Sequence, residues 1–480
     1  MSSMPITFGT DGWRAVVGDD FTYENVRAVA QAVAWYRAGD ARPIVIGHDS
    51  RYCAELFARE FAGVLAANGC SVILINRVVP TPVVSWTVVD RAAAAGIAIT
   101  ASHNPMEFNG IKYKPDFGGS ASPEIVAELE VLAARALVEG PAMMSFDEAL
   151  DSGRAELVDA MPSYLRQLDR LVDLPRLRDS GLRVLHEAMY GAGQGILATV
   201  LDGGTTTVHE LHGDRNPSFG GMHPEPIDVY LTEALEVMRG GSHDLAIAND
   251  GDADRVGVID ERGQYVDQHE VMALYTMYLL EKRGLRGDIV RSVTQTRMVD
   301  TLGKLFDTTV HELPVGFKFV GQKMREVDAL LGGEESGGYA FRGHIPERDG
   351  ILAGLFLADM IVEYAMPLSA IVARLEELVG PHAYNRHDIR FERGGYSQRK
   401  KDVYERMTAN APVAIAGSRV VRTRSDDGFK FYLEDDSWGL LRMSGTEPLM
   451  RIYSESSTPG RVEEIIADLE RHIGVNGEKG

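Results

Sequence analysis

Four short stretches of this sequence bring together residue types that do chemistry. In "GIAITASHNP", Gly96 to Pro105, an apolar run empties into a Ser-His-Asn-Pro turn. Thr100 and Ser102 could be turn residues whose hydroxyls bond nearby backbone. Ser102 could equally be an exposed nucleophile or phosphate carrier at the C-terminal end of a buried strand, the end at which open α/β sheets bind ligands. In "LAIANDGDADRVGVID", Asp250, Asp252 and Asp254 alternate along a tight loop. Converging carboxylates repel unless a cation lies between them, and hard oxygen ligands suit Mg2+ or Ca2+. An EF-hand would take Glu261 as its last ligand. Arg255, however, stands where that loop requires glycine, and the flanks read as strands. An Asp-rich hairpin turn is the other alternative. Mg2+ fits best, with few protein carboxylates and the remaining positions left to water or phosphate oxygens.

In "LLRMSGTEPLMRIY", Arg442, Ser444, Gly445, Thr446 and Arg451 surround a turn between two strand-like runs. Backbone N–H groups, two hydroxyls and a guanidinium fork make a phosphate cradle, although Ser-Gly-Thr is also an ordinary turn. In "GGEESGGYAFRGHIPERDG", Glu334 and Ser336 lie in a Gly-rich loop. A carboxylate beside a hydroxyl can grip sugar hydroxyls; the bland alternative is a solvated loop.

The elements that position these loops alternate between strand and helix. "PIVIGHDS" reads as a strand leaving into a polar loop at Asp49-Ser50-Arg51. A helix from Ala54 to Asn68 follows, with Leu56, Phe57, Phe61, Val64 and Leu65 on its apolar face and Gly69 closing it. "SVILINR" and "GIAITA" are further buried strands. Such strands between amphipathic helices indicate a parallel sheet covered on both faces. The pattern restarts at "GLRVLHEAMYGAGQGILATVL" and again at "GDIVRSVTQTRMV". Boundaries are expected near Leu171 to Gly181, near Gly263 to His269 and near "GPHAYNRHD". The tail alternates strands with one late helix, "RVEEIIADLERHI". The expected fold class is α/β in four domains: 1–150, 151–265, 266–380, and a smaller α+β domain over 381–480. The architecture repeats without a clean sequence repeat.

A chain of 480 residues is too long for one core. Its net charge of −21 argues against nucleic acid or an anionic membrane as partner, while leaving room for a small anionic substrate at a local basic cluster. The two cysteines, Cys53 and Cys70, give no disulfide framework and suit a reducing cytoplasm. The start, "MSSMPITFGTDGWR", has no apolar signal core, and no apolar run is long enough to span a bilayer. Oligomeric state is not legible.

Taken together and in this order, the four stretches resemble the α-D-phosphohexomutase family from "FGTDGWR" to "MRIYSE", nearly the whole chain. Thr100 to Pro105 looks like its phosphoserine loop, Asp250 to Arg255 its metal loop, Gly333 to Gly337 its sugar loop and Arg442 to Pro448 its phosphate loop. The resemblance implies three similar α/β domains and a smaller α+β domain around a central cleft. It implies that Ser102 carries a phosphoryl group, with about −1.5 to −2 charge at neutral pH. Mg2+ held by Asp250, Asp252 and Asp254 would bridge to Ser102 and neutralise charge as it transfers. Arg255 would steady the same oxygens. The enzyme would phosphorylate a hexose monophosphate to the bisphosphate, which turns over in the cleft and returns its other phosphate to Ser102. Glucose 1,6-bisphosphate would be activator and intermediate. Arg442, Ser444, Gly445, Thr446 and Arg451 would hold the unreacting phosphate, and Glu334 and Ser336 the sugar.

Arg14 and Lys114 match positions that line the family's active site, with Lys114 as general acid or base and Lys112 as a rival for that role. His103 is an alternative phosphate acceptor, and Lys318 is expected to face substrate. The sugar loop reads Glu-Glu-Ser-Gly-Gly, resembling phosphoglucomutases; phosphomannomutase-like members tend to show Glu-Met-Ser-Gly-His and phosphoglucosamine mutases Glu-Gln-Ser-Gly-His. Gly338 stands where some relatives carry a catalytic His, and His344 is expected to fill that space. Glucose is therefore favoured. Mannose, dual specificity, glucosamine and a metal-dependent sugar phosphatase or binding protein on the same scaffold are the alternatives.

Overall fold

Four sheets organise the chain in a computed structural model that describes residues 6–392, 394–444 and 448–474. The first sheet runs in the order Trp13–Val16, Phe108–Pro115, Ala95–Ile99, Ile44–His48, Val72–Val78, Ala155–Val158. Its last four strands are parallel; Phe108–Pro115 is antiparallel to Ala95–Ile99, and Trp13–Val16 is antiparallel to Phe108–Pro115. The second sheet sets Leu245–Asn249, Arg183–Glu187 and Thr207–Leu211 in parallel and adds Val256–Asp260 and Tyr265–Val266 antiparallel. The third sets Val310–Leu313, Ile289–Ser292 and Leu331–Gly333 in parallel and adds Tyr339–Phe341 antiparallel. The fourth is antiparallel throughout, from Ala383–Arg390 through Leu449–Ser456, Trp438–Met443, Phe429–Leu433 and Ser418–Arg424 to Ala414–Ile415. The chain is thus a four-domain α/β protein, with mixed sheets in three domains and an antiparallel sheet in the last.

In each mixed sheet a parallel strand is followed directly by an antiparallel one, and their connection is a chemical loop. Ser102 lies between Ala95–Ile99 and Phe108–Pro115, the aspartates between Leu245–Asn249 and Val256–Asp260, and Glu334 between Leu331–Gly333 and Tyr339–Phe341. The Ser-Gly-Thr segment singled out in the sequence lies between the antiparallel strands Trp438–Met443 and Leu449–Ser456.

Three expectations are corrected. Ala155–Val158 pairs in parallel with Val72–Val78, so the first domain runs past the boundary expected at 150; four residues are too few to show a period. Helix Ala54–Ala67 buries Phe57, Phe61, Val64 and Leu65, but Leu56 is 50% exposed. It precedes Phe57 by one residue, about 100° around the helix. The last domain has a second helix, Tyr396–Ala409, which buries only Val403 and Met407, too few to mark a face. Helix Gly350–Tyr364 is almost wholly buried and packs on the second sheet, where a Cβ on Gly354 would lie 2.7 Å from Ile247. No single helix among the described residues is long and apolar enough to cross a membrane.

The last domain is fastened to the third by two acids, buried Glu455 and half-buried Glu312. Glu455 accepts from Thr296 Oγ1 (2.6 Å) and Arg297 N (3.0 Å), and in its own sheet from Trp438 Nε1 (2.7 Å). Glu312 accepts from Lys430 Nζ (2.8 Å) and pairs with Arg291 (2.9 Å). A buried donor left without an acceptor costs about 1–3 kcal/mol. Glu455→Ala is therefore expected to destabilise the last domain by about 3 kcal/mol, seen in calorimetry as a transition separating to lower temperature. A variant melting with the wild-type profile would contradict this attachment.

Candidate active site

Ser102 sits in the left-handed region at φ 51°. Its N–H donates to Thr100 Oγ1 (2.9 Å) and its Oγ donates to Asp250 Oδ2 (2.7 Å). The residue is 1% exposed, not exposed as expected, because the metal loop packs on it. His103 Nδ1 is 3.4 Å from Ser102 Oγ. Burial, and then the charges of Arg255 and Arg14, hold the His103 imidazole well below its ordinary pKa. Ser102, not His103, donates to the aspartate. Arg14 reaches the same loop, its Nη1 donating to Asn104 Oδ1 (2.7 Å).

Asp250, Asp252 and Asp254 are fully buried, and one oxygen of each lies within 4.8 Å of the others. Asp252 Oδ1 and Asp254 Oδ1 accept no hydrogen bond. Buried anionic oxygens without donors suit a hard divalent cation. Burial and the neighbouring Asp252 and Asp254 push the Asp250 carboxyl well above its usual range. Asp252 goes the other way: although burial opposes ionisation, Lys112 and the hydrogen bonds from Lys112 and Thr81 outweigh it. Glu261 is not a fourth ligand. It binds the N–H (3.2 Å) and hydroxyl of Ser369, and strands flank the loop, so there is no EF-hand. The Arg255 guanidinium pairs with Glu225 (3.1 Å), while its backbone N–H donates to Asp250 Oδ1 (3.1 Å).

Lys112, rather than Lys114, occupies the metal loop. Its Nζ lies 2.7 Å from Asp252 Oδ2, 2.7 Å from Asp254 Oδ2 and 2.9 Å from Asp11 Oδ2. Burial disfavours its charge, but those three carboxylates win and hold the ammonium protonated. Lys114 shares that face of Phe108–Pro115, two residues on, and pairs instead with Glu347 (2.8 Å), which also accepts from Ser120 Oγ (2.6 Å). It joins the first and third domains, and its Nζ also lies 3.5 Å from Asp11, the aspartate that Lys112 meets.

His344 is also displaced from its expected role. It is buried against Trp86, ring centroids 5.6 Å apart, and bonds Asp349 Oδ2 (3.0 Å). The space beside Gly338 belongs to Arg348: a Cβ on Gly338 would lie 2.2 Å from Arg348 Cδ. Arg348 pairs with Asp254 (2.9 Å), with Glu347 (3.3 Å) and with Asp11. A cation thus stands where the expectation put an imidazole.

Glu334 is buried at the start of the sugar loop and accepts from Gly316 N (2.7 Å). Burial pushes its carboxyl up to about 7, Arg348 opposing and Glu335 adding. Ser336 is half-buried in the same turn, and Gly337 O accepts from Val256 N (2.9 Å), joining sugar loop to metal loop. Lys318 is half-buried in the first turn of helix Phe317–Val327, immediately after Gly316. Arg442 and Arg451 face each other across their strands. Arg442 Nε donates to Asp427 (2.8 Å), and Arg451 Nε lies 3.7 Å from Asp388. Like charges directly opposite repel, and Asp427 and Asp388 each offset one of them. Ser444 is buried beside them; Gly445 and Thr446 lie outside the described residues.

Asp11, Thr81, Glu347 and Arg348 were missed from sequence. Thr81 Oγ1 donates to Asp252 Oδ2 (2.5 Å). "FGTDGWR" and "HIPERDG" were visible as motifs, but nothing in their spacing says that Asp11 and Arg348 meet. Gly338→Ala should drive Arg348 from Asp254 and lower kcat by about a hundredfold, the usual consequence of an ångström-scale misplacement. His344→Ala should lose stability and keep kcat within about threefold. Steady-state kinetics on both variants checks this, and the opposite ranking would restore His344 to the site.

Comparison with known proteins matches the whole architecture. The descriptions "Phosphoglucomutase/phosphomannomutase, alpha/beta/alpha domain" I, II and III match residues 5–137, 162–263 and 267–378, and the C-terminal domain of that family matches 400–472. A phosphoglucosamine mutase of Frankia casuarinae is 30% identical over 94% of both chains. A phosphoglucomutase/phosphomannomutase of Thermococcus kodakarensis is 28% identical over 96% of both. A crystal structure from Thermus thermophilus that bears the name putative phosphomannomutase superimposes with a TM-score of 0.84 at 32% identity, covering 98% of this chain and 100% of that one.

Proposed function

Because the chain belongs to the phosphoglucomutase/phosphomannomutase family, we propose that this phosphohexomutase interconverts glucose 1-phosphate and glucose 6-phosphate through phosphorylated Ser102 and glucose 1,6-bisphosphate. One observation carries the reading: Ser102 Oγ stands 2.7 Å from Asp250, in the loop that also presents Asp252 and Asp254. These aspartates would hold Mg2+, which when bound neutralises charge on a transferring phosphoryl group. Ser102 Oγ carries the phosphoryl between half-reactions. Lys112, held protonated, and Arg348 set positive charge beside the aspartates. Glu334 and Ser336 orient the sugar, and Arg442 and Arg451 hold the distal phosphate in either direction. Free Cys53 and Cys70 fit a reducing compartment, and we place the enzyme in the cytoplasm.

Glucose is supported by the Glu334-Glu335-Ser336 loop. A second reading, glucosamine phosphate, is favoured by the relative from Frankia casuarinae that is named a phosphoglucosamine mutase. Coupled assays with glucose, mannose and glucosamine 1-phosphates decide between them by kcat/KM. Ser102→Ala removes a hydrogen bond worth about 1 kcal/mol and should fold, yet lose at least about a thousandfold in mutase activity. Added bisphosphate should not restore it, since no oxygen remains to accept the group. A phosphate adduct that persists in Ser102→Ala, or steady release of inorganic phosphate by the wild type, would point to His103 or to a sugar phosphatase instead.

Glu334 predicts a pH dependence. With its carboxyl near about 7, it is protonated below that pH and offers full acceptor capacity only above it. The KM for hexose phosphate should fall as pH rises through about 7 and then level off. Glu334→Gln should remove this step while leaving the substrate's own phosphate titration in place. A KM rising over the same interval in the wild type alone would contradict a carboxylate gripping the sugar.

A further inference from the structure

We propose that Arg51 is a positioning residue for phosphoryl transfer: its guanidinium clamps the backbone of the Ser102 loop and fixes the Ser102 oxygen against the metal loop. The role rests on the mutase reading above. Arg51 lies just beyond strand Ile44–His48 and is 1% exposed. Nη1 donates to the carbonyls of Pro105 (2.8 Å) and Phe108 (2.9 Å), and Nη2 to those of Ser102 (2.6 Å) and Asn104 (2.5 Å). Four carbonyl dipoles aimed at one point repel unless a cation with donors in matching directions sits there. A planar guanidinium supplies that fork and an ammonium does not.

The clamp is itself held. Asp49 accepts from Arg51 N (2.9 Å), lies 3.2 Å from its Nε, and accepts from Thr100 Oγ1 (2.6 Å), the hydroxyl to which Ser102 N–H donates (2.9 Å). Asp49, Arg51, Thr100 and Ser102 therefore close a ring around the nucleophile. On its far side the guanidinium stacks on Phe219 of the second domain, 4.8 Å from the ring centroid. The Ser102 carbonyl is also the surface on which the metal loop rests, since a Cβ on Gly251 would lie 2.4 Å from it. One carbonyl thus sets the register between phosphoserine loop and metal loop. Ser102 at φ 51° occupies a region that non-glycine residues keep only when their surroundings hold them there. The Arg51 guanidinium bonds the backbone of this loop and not the Ser102 hydroxyl, so it acts by positioning that oxygen.

The test uses the full chain with Arg51→Met and Arg51→Lys. Single-turnover phosphorylation of Ser102 by glucose 1,6-bisphosphate is followed by quench and intact-protein mass spectrometry, beside steady-state kinetics and circular dichroism. The phosphorylation rate and kcat should fall by about a hundredfold in Arg51→Met and about tenfold in Arg51→Lys, with KM within about threefold of wild type. Arg51→Lys keeps the buried charge, so it reads the clamp even if Arg51→Met does not fold. Arg51→Lys phosphorylated at the wild-type rate, or a loss confined to KM or to the unfolded fraction, would overturn the proposal. A wild-type chain that takes no phosphate on Ser102 would overturn the mutase reading instead.

Discussion

Buried carboxylates cannot converge without positive charge, and the architecture of this protein turns on that constraint. Desolvation penalises each charge on Asp11, Asp250, Asp252 and Asp254, and their mutual repulsion adds to it. The cations nearest them, Lys112 and Arg348, are shared among Asp11, Asp252 and Asp254, with Lys114 3.5 Å from Asp11 and Arg255 4.0 Å from Asp254 farther out. Asp250 is left with two neutral donors, Ser102 Oγ and the Arg255 N–H, and its carboxyl titrates high accordingly. Asp11 and Lys112 come from the first domain, the aspartate loop from the second and Arg348 from the third. Charge compensation therefore requires three domains to be docked, and the site exists only in the assembled chain. Removing one partner of such a network leaves a buried charge unpaired, the costly direction of the exchange.

The repeated topology explains why the loops can meet. At the C-terminal end of a parallel strand the chain turns back antiparallel in all three mixed sheets, so each loop is pinned at both ends by ladder hydrogen bonds. The loops then bond to each other and to neighbouring elements through backbone: Val256 N to Gly337 O (2.9 Å), Thr81 N to Asp252 O (3.0 Å), Gly350 N to Ala253 O (3.1 Å). Where the loops approach most closely the chain uses glycine: a Cβ on Gly251 would lie 2.4 Å from Ser102 O, and one on Gly350 2.2 Å from Arg255 O. The last domain lacks the parallel half of the motif and is joined through side chains, Glu455 and Glu312 among them, that bond both side chains and backbone across the boundary.

Much of this was legible in the sequence because it is local. Strand–helix alternation, the loop residues and the aspartate cluster are set by short-range pattern, and Ser102 and the three aspartates meet where the motifs suggested. Long-range pairing was not legible. Ala155–Val158 is too short to show a period, and only its pairing with Val72–Val78 places it in the first sheet. The alternation in "GIKYKP" puts Lys112 and Lys114 on one face and cannot say which ammonium meets an aspartate. That choice is made by Asp252 and Asp254, more than a hundred residues away, and by Glu347, more than two hundred.

Gly338 shows the limit most clearly. Read by position, it marks a lost imidazole, and His344 is the nearest ring that could replace it. The structure fills that space with Arg348, ten residues on, which a side chain at position 338 would have to displace. The glycine is then the complement of the arginine: each is explained by the other, and neither by its own neighbours in sequence. Because Arg348 also reaches Asp254 and Asp11, one packing relation connects the sugar loop to the metal loop through charge as well as shape. A motif compared letter by letter records the absence of a histidine. Volume and charge, followed through space, record a cation in its place.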